Sequence, residues 1–406
     1  IGATRPDKIE LEKALQRWAA LSWFLDDMLT QETDATPDGT SLLPKAWRLG
    51  SRPNLTQMHH DACRFRVPGE VVEARLVEEI GRLKSLTAGA SGQGVRVHNL
   101  PEWPRQVEDD GDFHFVVLGP KAACTAGNPS PEAKRFIDET TAADRPRVYR
   151  NAIVLATPST DGLEAARNAI LKHLGWEEVR QQLKDQQIDP IREALLSSNL
   201  EGTKRAFPDA IRQAYCIVVT VDENNKIQAL RITPSNDPLF TAIKKDNRVR
   251  IQETSISADA LLPGGPYDLW RAGDTARRLK DLVTAFAQFP HLPKMLNRQA
   301  ILDTLVDGCR QGMFVLRQPR PDKTYRTFWR QTPDDAVLKD SAVEVVLPET
   351  ATLSEVMPEL LVKDMLPGLW KNDTVCIQDV YAYFAGGNVV QIPKEGYEEP
   401  FIIPKA

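Results

Sequence analysis

A basic stretch late in the chain contains the residues that most clearly suggest binding chemistry. Between Arg310 and Arg330 there are six basic side chains, one acid and several interleaved aromatic rings, which gives a local charge of +5 in a chain of net charge −5. On a hairpin, such side chains can lie on DNA phosphates while the tip enters a groove. The alternative is that the arginines pair with neighbouring acids and the rings belong to a core. The predicted DNA-binding residues are Arg317, Arg320, Lys323, Arg326 and Arg330, with a second set at Lys45, Arg48 and Arg52.

Signatures of catalysis, nucleotide binding and metal binding are absent from the sequence. It lacks the phosphate-binding loop G-x-x-x-x-G-K-[ST], the G-x-S-x-G nucleophile elbow and any C-x-x-C or H-x-x-x-H pair. His59 and His60 lie near Asp61 and Cys63, but adjacent residues on a helix point about 100° apart and cannot easily share an ion. We therefore expect no catalytic residue, metal or cofactor in this chain.

The loop from Thr157 to Gly162 is the best-placed candidate for a small ligand. It follows an apolar strand and precedes a helix, which is where open α/β sheets often bind ligands. Its polar residues are also those of an ordinary turn with a helix cap, and we favour that interpretation.

Composition and size describe a globular chain of 406 residues, long enough for two or three domains. The 42% of hydrophobic and 26% of charged residues exclude disorder, a collagen-like structure and a coiled coil for most of the chain. A net charge of −5 excludes a uniformly basic coat for nucleic acid, although not a local basic patch. No apolar run approaches the roughly 20 residues that span a bilayer. Five scattered cysteines and no leader indicate the reducing cytoplasm and no membrane partner.

The elements that would position the basic residues suggest two winged-helix-like modules. In residues 1–66, a helix running into a strand, a polar turn and a returning strand match the last two-thirds of a winged helix, followed by a further helix. In residues 265–350, two helices precede two strands, and the basic stretch forms the hairpin. The first residue is Ile1 rather than methionine, so we expect a piece of a longer protein.

Between these modules the pattern predicts a small α/β domain over residues 67–185. Near-continuous apolar runs at 115–118 and 152–156, with a shorter strand at 95–98, are typical of a parallel sheet buried on both faces. Residues 186–264 read as linker helices and a β-hairpin, and residues 351–406 as a C-terminal extension. The predicted fold class is thus a mixed α+β and α/β multidomain protein, with winged-helix-like modules flanking a parallel-sheet domain.

Several segments together resemble a known family. They are Leu21-Ser22-Trp23-Phe24-Leu25, Arg52-Pro53-Asn54-Leu55, Phe115-Val116-Val117-Leu118, Arg147-Val148-Tyr149-Arg150-Asn151-Ala152-Ile153, Pro290-His291-Leu292-Pro293 and Gly312-Met313-Phe314-Val315-Leu316. Their order resembles the C-terminal half of the domain-of-unknown-function 499 ATPases, which are large AAA+-type proteins of bacterial phage-defence clusters related to BREX-like phage-growth-limitation systems. The likeness covers about residues 1–330, and its most specific part is the motif Tyr149, Arg150 and Asn151, whose role is unknown.

The resemblance implies that an ATP-binding core lies upstream of Ile1, so that ATP and Mg²⁺ belong to the parent protein. This chain would then be its non-catalytic C-terminal region, which holds double-stranded DNA or partner subunits. The alternative is a purely structural assembly module that docks a methyltransferase or helicase subunit without touching DNA. An enzyme of unrecognised type, using the α/β domain, is the third and least favoured possibility.

Overall fold

The computed structural model describes residues 8–22, 54–90, 94–141, 145–233, 237–253, 256–366, 368–370, 372–385, 391–392 and 401–402. The first helix, α1 (Lys8–Leu21), confirms the helix predicted near the N-terminus. The strands predicted after it, together with Lys45, Arg48 and Arg52, lie outside the described residues.

A five-stranded mixed sheet organises the first half of the chain. Its strands are β1 (Arg96–Asn99), β2 (His114–Val117), β3 (Ile153–Thr157), β4 (Ile217–Val221) and β5 (Ile227–Arg231), in that spatial order. The first three run parallel, as predicted, but β4 and β5 pair antiparallel. The expected all-parallel sheet is therefore corrected to a mixed one. The hairpin that the sequence assigned to a linker region supplies its last two strands, because β4 is apolar on both faces and buries along β3.

Helices cover both faces of this sheet. Helix α2 (Leu55–Asp61), which continues as a π-helical turn over Ala62–Arg66, belongs to a separate small core away from the sheet. The helices that cover the sheet are α3 (Gly69–Arg82), α4 (Pro131–Asp138), α5 (Thr160–Leu183), α6 (Pro190–Ala214) and α7 (Leu239–Lys245). Helices α3, α5, α6 and α7 pack on one face and α4 on the other. Side-chain caps fix where these helices begin: Ser130, Ser159 and Asp189 each accept a backbone N–H of the first turn.

A second unit is built around a four-stranded antiparallel sheet. Its elements are β6 (Ile251–Gln252), β7 (Ala276–Arg278), α8 (Leu279–Gln288), β8 (Lys294–Met295), α9 (Gln299–Gln311), β9 (Val315–Pro319), β10 (Tyr325–Phe328), α10 (Asp335–Leu338) and β11 (Glu344–Val346). The sheet order is β10-β9-β11-β7, and β6 pairs with β8 separately. Gly312 ends α9 in the left-handed conformation at φ 84°, which glycine adopts without steric cost.

The C-terminal extension packs on the sheet face opposite α8 and α9. Trp329 and Val346 of the sheet region join a core with Leu353, Leu366 and Phe384, the last from helix α11 (Ile377–Ala385). A short pair of strands, β12 (Gln391–Ile392) and β13 (Phe401–Ile402), follows. The mixed α/β class with several sheets is thus confirmed. Within the described ranges, no helix combines the length and apolarity needed to cross a membrane.

Candidate functional site

The basic stretch forms the β9–β10 hairpin, and the tip of that hairpin is a rigid three-residue loop. Arg320 and Thr324 close the loop with a 2.7 Å backbone bond, and Lys323 adopts the left-handed conformation at φ 69°. The Asp322 carboxylate accepts the Thr324 backbone N–H at 3.0 Å and the Thr324 hydroxyl at 2.6 Å. This is the three-residue hairpin geometry in which a type I turn precedes a left-handed residue. These bonds therefore define the backbone of the tip, from which the Lys323 side chain extends into solvent.

Each hairpin arginine faces an acid from later in the chain. The Arg317 Nε lies 2.6 Å from Glu344, Arg320 lies 3.6 Å from Glu355 and Arg326 lies 3.9 Å from Asp334. These pairs are partly or largely exposed, and such pairs stabilise a fold by about 0–1 kcal/mol. The local charge of +5 is therefore largely balanced once the chain is folded.

Two of these arginines stack on aromatic rings of the same hairpin. The Arg317 guanidinium lies 4.6 Å from the centre of the Tyr325 ring, and that of Arg326 lies 4.8 Å from the centre of the Phe328 ring. Phe328 is buried, whereas Tyr325 remains 41% exposed. The hairpin thus presents a stacked arginine–tyrosine pair at its surface.

Lys323 and Arg330 differ from the other predicted contact residues. Lys323 is exposed at the tip and forms no ion pair with any residue that the structure describes. Arg330 is partly buried after β10, stacks on Trp329 and donates to the Met365 carbonyl in the C-terminal extension. Burial lowers the pKa of Arg330. Its contacts are those of a packing residue that joins the sheet to the extension.

The motif Tyr149, Arg150 and Asn151 lies at the junction between the two units. Asn151 is completely buried, and its Nδ2 donates to the carbonyls of Phe286 at 2.8 Å and Leu292 at 3.1 Å. Its Oδ1 accepts a 2.6 Å bond from the Lys294 Nζ. Both amide hydrogens and the amide oxygen thus bond to groups that lie 135 to 143 residues later in the sequence. This geometry gives Asn151 the contacts of a structural anchor between the two units.

Lys294 is a buried lysine whose ammonium group contacts no carboxylate among the residues that the structure describes. Its Nζ donates to Asn151 Oδ1 and, at 3.0 Å, to the carbonyl of Val221 at the end of β4. Desolvation, reinforced by the nearby Arg250 guanidinium, lowers its pKa to about 7. A neutral amine can still donate to both acceptors. The junction therefore accommodates the uncharged form of the lysine.

Arg147 and Arg150 anchor the chain just before β3. Arg147 is buried and donates to the carbonyls of Glu108, Val107 and Glu139 at 2.8 to 3.3 Å. Arg150 instead contacts Asp138 at 2.6 Å on the rim. The Arg147 contacts pin the loop before β2 to the start of β3, a structural role that the isolated arginine did not reveal in the sequence.

Two histidines that are isolated in the sequence meet on the first sheet. His98 Nε2 lies 3.0 Å from His114 Nδ1, and His114 Nε2 lies 3.1 Å from the Asp110 carboxylate. Burial lowers the pKa of both histidines. The parallel pairing of β1 with β2 brings them together, so only the strand register could have revealed the contact. No group of three or more potential metal ligands forms anywhere in the described part of the chain.

The remaining sequence candidates have local structural roles. Ser159, in the loop singled out for a small ligand, caps α5 by accepting the Gly162 N–H, and a groove of about 650 Å³ lies beside it. Cys63 and His59 lie 3.4 Å apart on the α2 segment, where burial raises the pKa of the thiol and lowers that of the imidazole. Both groups are therefore neutral and form no activated nucleophile.

Comparison with protein-family models, with curated proteins and with solved structures gave no match for this chain.

Proposed function

We propose that this chain is a binding and coupling module without catalytic chemistry, and that the β9–β10 hairpin is its contact element for a partner protein. The observation that carries the proposal is the exposed Tyr325 ring under the Arg317 guanidinium, on a hairpin whose tip is fixed. Tyrosine and arginine are enriched among the residues that dominate protein interfaces. Rigid presentation reduces the entropy lost on binding.

The charge balance of the hairpin favours a protein over DNA. Glu344, Glu355 and Asp334 neutralise the three arginines. A duplex would have to displace these acids or approach them, which costs electrostatic energy. A protein surface with mixed charges can instead extend the existing pairs, since complementarity rather than net charge sets its specificity.

DNA remains the second candidate because of Lys323. It is exposed at the tip, and the arginine pairs beside it at 3.6 and 3.9 Å are weak enough for phosphate to compete. In this alternative, residues 265–350 act as a winged helix whose wing is the hairpin. The order β7, α8, β8, α9, β9, β10, with two helices before the hairpin, supports that assignment. The insertion of β11 between β7 and β9 in the sheet is a departure from a simple wing.

The resemblance to the domain-of-unknown-function 499 ATPases supports the wider setting of the proposal. In that setting the chain is the C-terminal region of a phage-defence ATPase, with ATP and Mg²⁺ bound upstream, and the partner is a methyltransferase or helicase subunit of the same defence cluster. This part of the proposal is an analogy to a family and depends on no contact within the chain.

Binding assays on matched hairpin variants test the proposal. We expect Tyr325→Ala to weaken co-purification with the co-expressed cluster subunits by about tenfold or more, whereas Tyr381→Ala, which changes an exposed tyrosine on α11, leaves it unchanged. If both variants bind the subunits as the wild type does, the hairpin is not the contact element.

Duplex binding separates the two candidates. If the hairpin made four phosphate contacts, raising the salt concentration from 50 to 200 mM would lower the affinity for the duplex by about 100-fold. These contacts would be at Arg317, Arg320, Lys323 and Arg326. We expect fluorescence anisotropy with a labelled duplex to show no such salt dependence. A steep dependence that Arg320→Ala with Arg326→Ala abolishes would replace the protein partner by DNA.

A further inference from the structure

Strand β10 forms the outer edge of the second sheet, and β9 alone among the described strands pairs with it. The Thr327 N–H points away from β9, because it donates to the Ser354 Oγ in the C-terminal extension at 3.1 Å. The backbone groups of successive residues in an antiparallel pair alternate in direction, so those of Tyr325 also point outward. A sheet edge of this kind is a template for an extended segment of another chain.

Residues 353–355 of the extension contact this edge, and we call them the edge segment. The Ser354 N–H donates to the Thr327 Oγ1 at 2.7 Å, and the two hydroxyl oxygens lie 3.0 Å apart. The Glu355 carboxylate lies 3.6 Å from the Arg320 guanidinium. Leu353 is buried in the core of the extension. An apolar, a hydroxyl and an acidic side chain, in that order, thus hold the edge segment against the hairpin.

The polar contacts of the edge segment are of a kind that another chain can replace. Ser354 and Glu355 are both exposed. An ion pair as exposed as that between Glu355 and Arg320 adds little to the stability of a fold. The hydroxyl bonds also contribute little net free energy, because equivalent bonds to another chain or to water take their place. Opening the edge segment therefore costs chiefly the burial of Leu353.

The charges of the hairpin favour an acidic occupant of the edge. Lys323, at the tip, forms no ion pair with any residue that the structure describes. The Arg326 guanidinium lies 3.9 Å from Asp334, a carboxylate that is itself largely exposed. A segment that carries a carboxylate would therefore replace Glu355 at Arg320 and lie on a hairpin with further cations.

We propose that the partner of the hairpin contributes an extended segment with the pattern apolar residue, serine or threonine, then aspartate or glutamate. This segment takes the place of the edge segment on β10, so the edge segment is an autoinhibitory contact that the partner displaces. The inference rests on the proposed function of the hairpin as a contact element, and it names the chemistry that the partner must present.

A peptide with the sequence of residues 351–357, Ala-Thr-Leu-Ser-Glu-Val-Met, tests the displacement on the full chain. We expect fluorescence anisotropy to show that the labelled peptide binds the double variant Ser354→Ala with Glu355→Gln about tenfold more tightly than the wild type. The reason is that the apparent affinity rises with the fraction of molecules whose edge is open. The double variant Ser341→Ala with Glu349→Gln, which changes two exposed residues elsewhere, should bind the peptide as the wild type does.

Two further comparisons locate the peptide on β10. The peptide Ala-Thr-Leu-Ala-Gln-Val-Met, which lacks the hydroxyl and the carboxylate, should bind the opened variant about tenfold more weakly. Adding Thr327→Val to that variant should weaken the first peptide by a similar factor, because Ser354 bonds to the Thr327 hydroxyl. Circular dichroism melts confirm that the variants fold.

Hydrogen exchange measured by NMR reports the opening itself. The Thr327 amide bonds to the edge segment, whereas the Arg326 amide faces β9. We expect the opened variant to speed exchange at Thr327 about tenfold and to leave Arg326 unchanged.

The peptide and the cluster subunits give separate answers. Equal affinity of the peptide for the wild type and the opened variant, no binding to either, or unchanged exchange at Thr327 would each overturn the autoinhibitory contact. None of these results depends on the co-purification of Tyr325→Ala with the subunits, which decides the proposed function on its own.

Discussion

The buried lysine at the junction between the two units should make stability depend on pH above neutrality. Lys294 holds its proton up to about pH 10.5 in the unfolded chain but releases it near pH 7 in the folded chain. Between these values the unfolded state binds more protons, so the free energy of unfolding rises with pH. The linkage relation gives a rise of about 1.6 kcal/mol between pH 7 and pH 8.5 from this one group.

The window from pH 7 to pH 8.5 isolates the lysine from other titrating groups. Below it, the histidines with lowered pKa values, such as His114, contribute a rise of their own. Above it, burial that raises the pKa of Cys309 to about 12 gives the opposite slope, because the unfolded thiol ionises near pH 9. The same sign applies to Tyr215, whose pKa burial also raises.

The variant Lys294→Met tests this reasoning as a difference between two curves. It removes the buried charge but leaves Asn151 Oδ1 and the Val221 carbonyl without a donor, at about 1–3 kcal/mol each. The net effect at pH 7 is therefore small, yet the variant should lose about 1.6 kcal/mol relative to the wild type on going to pH 8.5.

Urea denaturation followed by circular dichroism at pH 7.0 and 8.5, at fixed ionic strength, measures this loss. Lys134→Met, which changes an exposed lysine on α4, is the control and should follow the wild type at both pH values. If Lys294→Met also follows the wild type in parallel, the lysine does not deprotonate in the folded chain and the argument from burial is refuted.

Two further substitutions test the packing around the junction and the first sheet. Asn151→Ala should lower the free energy of unfolding by about 3 kcal/mol or more, because it leaves the buried Lys294 and two carbonyls without their amide partner, and urea denaturation measures the loss. Gly162→Ala should lower the free energy of unfolding by about 1–3 kcal/mol in the same assay, because the new Cβ would lie 2.6 Å from the Ala214 Cα. Gly202→Ala, also within a helix but with open space around it, should raise the free energy of unfolding by about 0.5–1 kcal/mol. Similar effects of the two alanines would contradict the close helix contact at Gly162.

Strands β2 and β3 of the first sheet were predictable because a strand that is buried on both faces has a near-continuous run of apolar residues. The apolar runs at 115–118 and 152–156 correspond to β2 and β3 within two residues. The position of β4 was not predictable in the same way. Its apolar run showed that it was buried, but the sequence did not show that it would pair antiparallel with β3.

The polar contacts were hidden because their partners are distant in the chain. Asn151 contacts residues 135 to 143 positions away, and Arg147 reaches the loop some 40 positions before it. Which partners satisfy a buried polar group is decided only when the chain folds. The motif Tyr149, Arg150 and Asn151 could therefore be interpreted from the sequence either as a binding site or as a structural anchor.

The basic stretch shows how a local count of charge differs from the charge that a ligand meets. The count of +5 ended at Arg330, and the acids that face the hairpin, Asp334, Glu344 and Glu355, come just after it. Antiparallel pairing of β11 with β9 brings Glu344 opposite Arg317. A run of basic residues therefore indicates an electrostatic surface only when the strands that will flank it are also considered.

The junction around Asn151 also bears on how the two units move. Its Nδ2 and Oδ1 are fully used by groups of α8, β8 and the segment between them, so sliding one unit on the other would leave buried donors and acceptors without partners. Arg250, just before β6, donates to the Pro290 carbonyl at 2.7 Å and so fixes the segment that Asn151 contacts. An apolar interface could tolerate small shifts, whereas this polar one is satisfied in a single arrangement. Hydrogen bonds of buried polar groups, rather than apolar packing alone, therefore hold the two units in one arrangement at this junction.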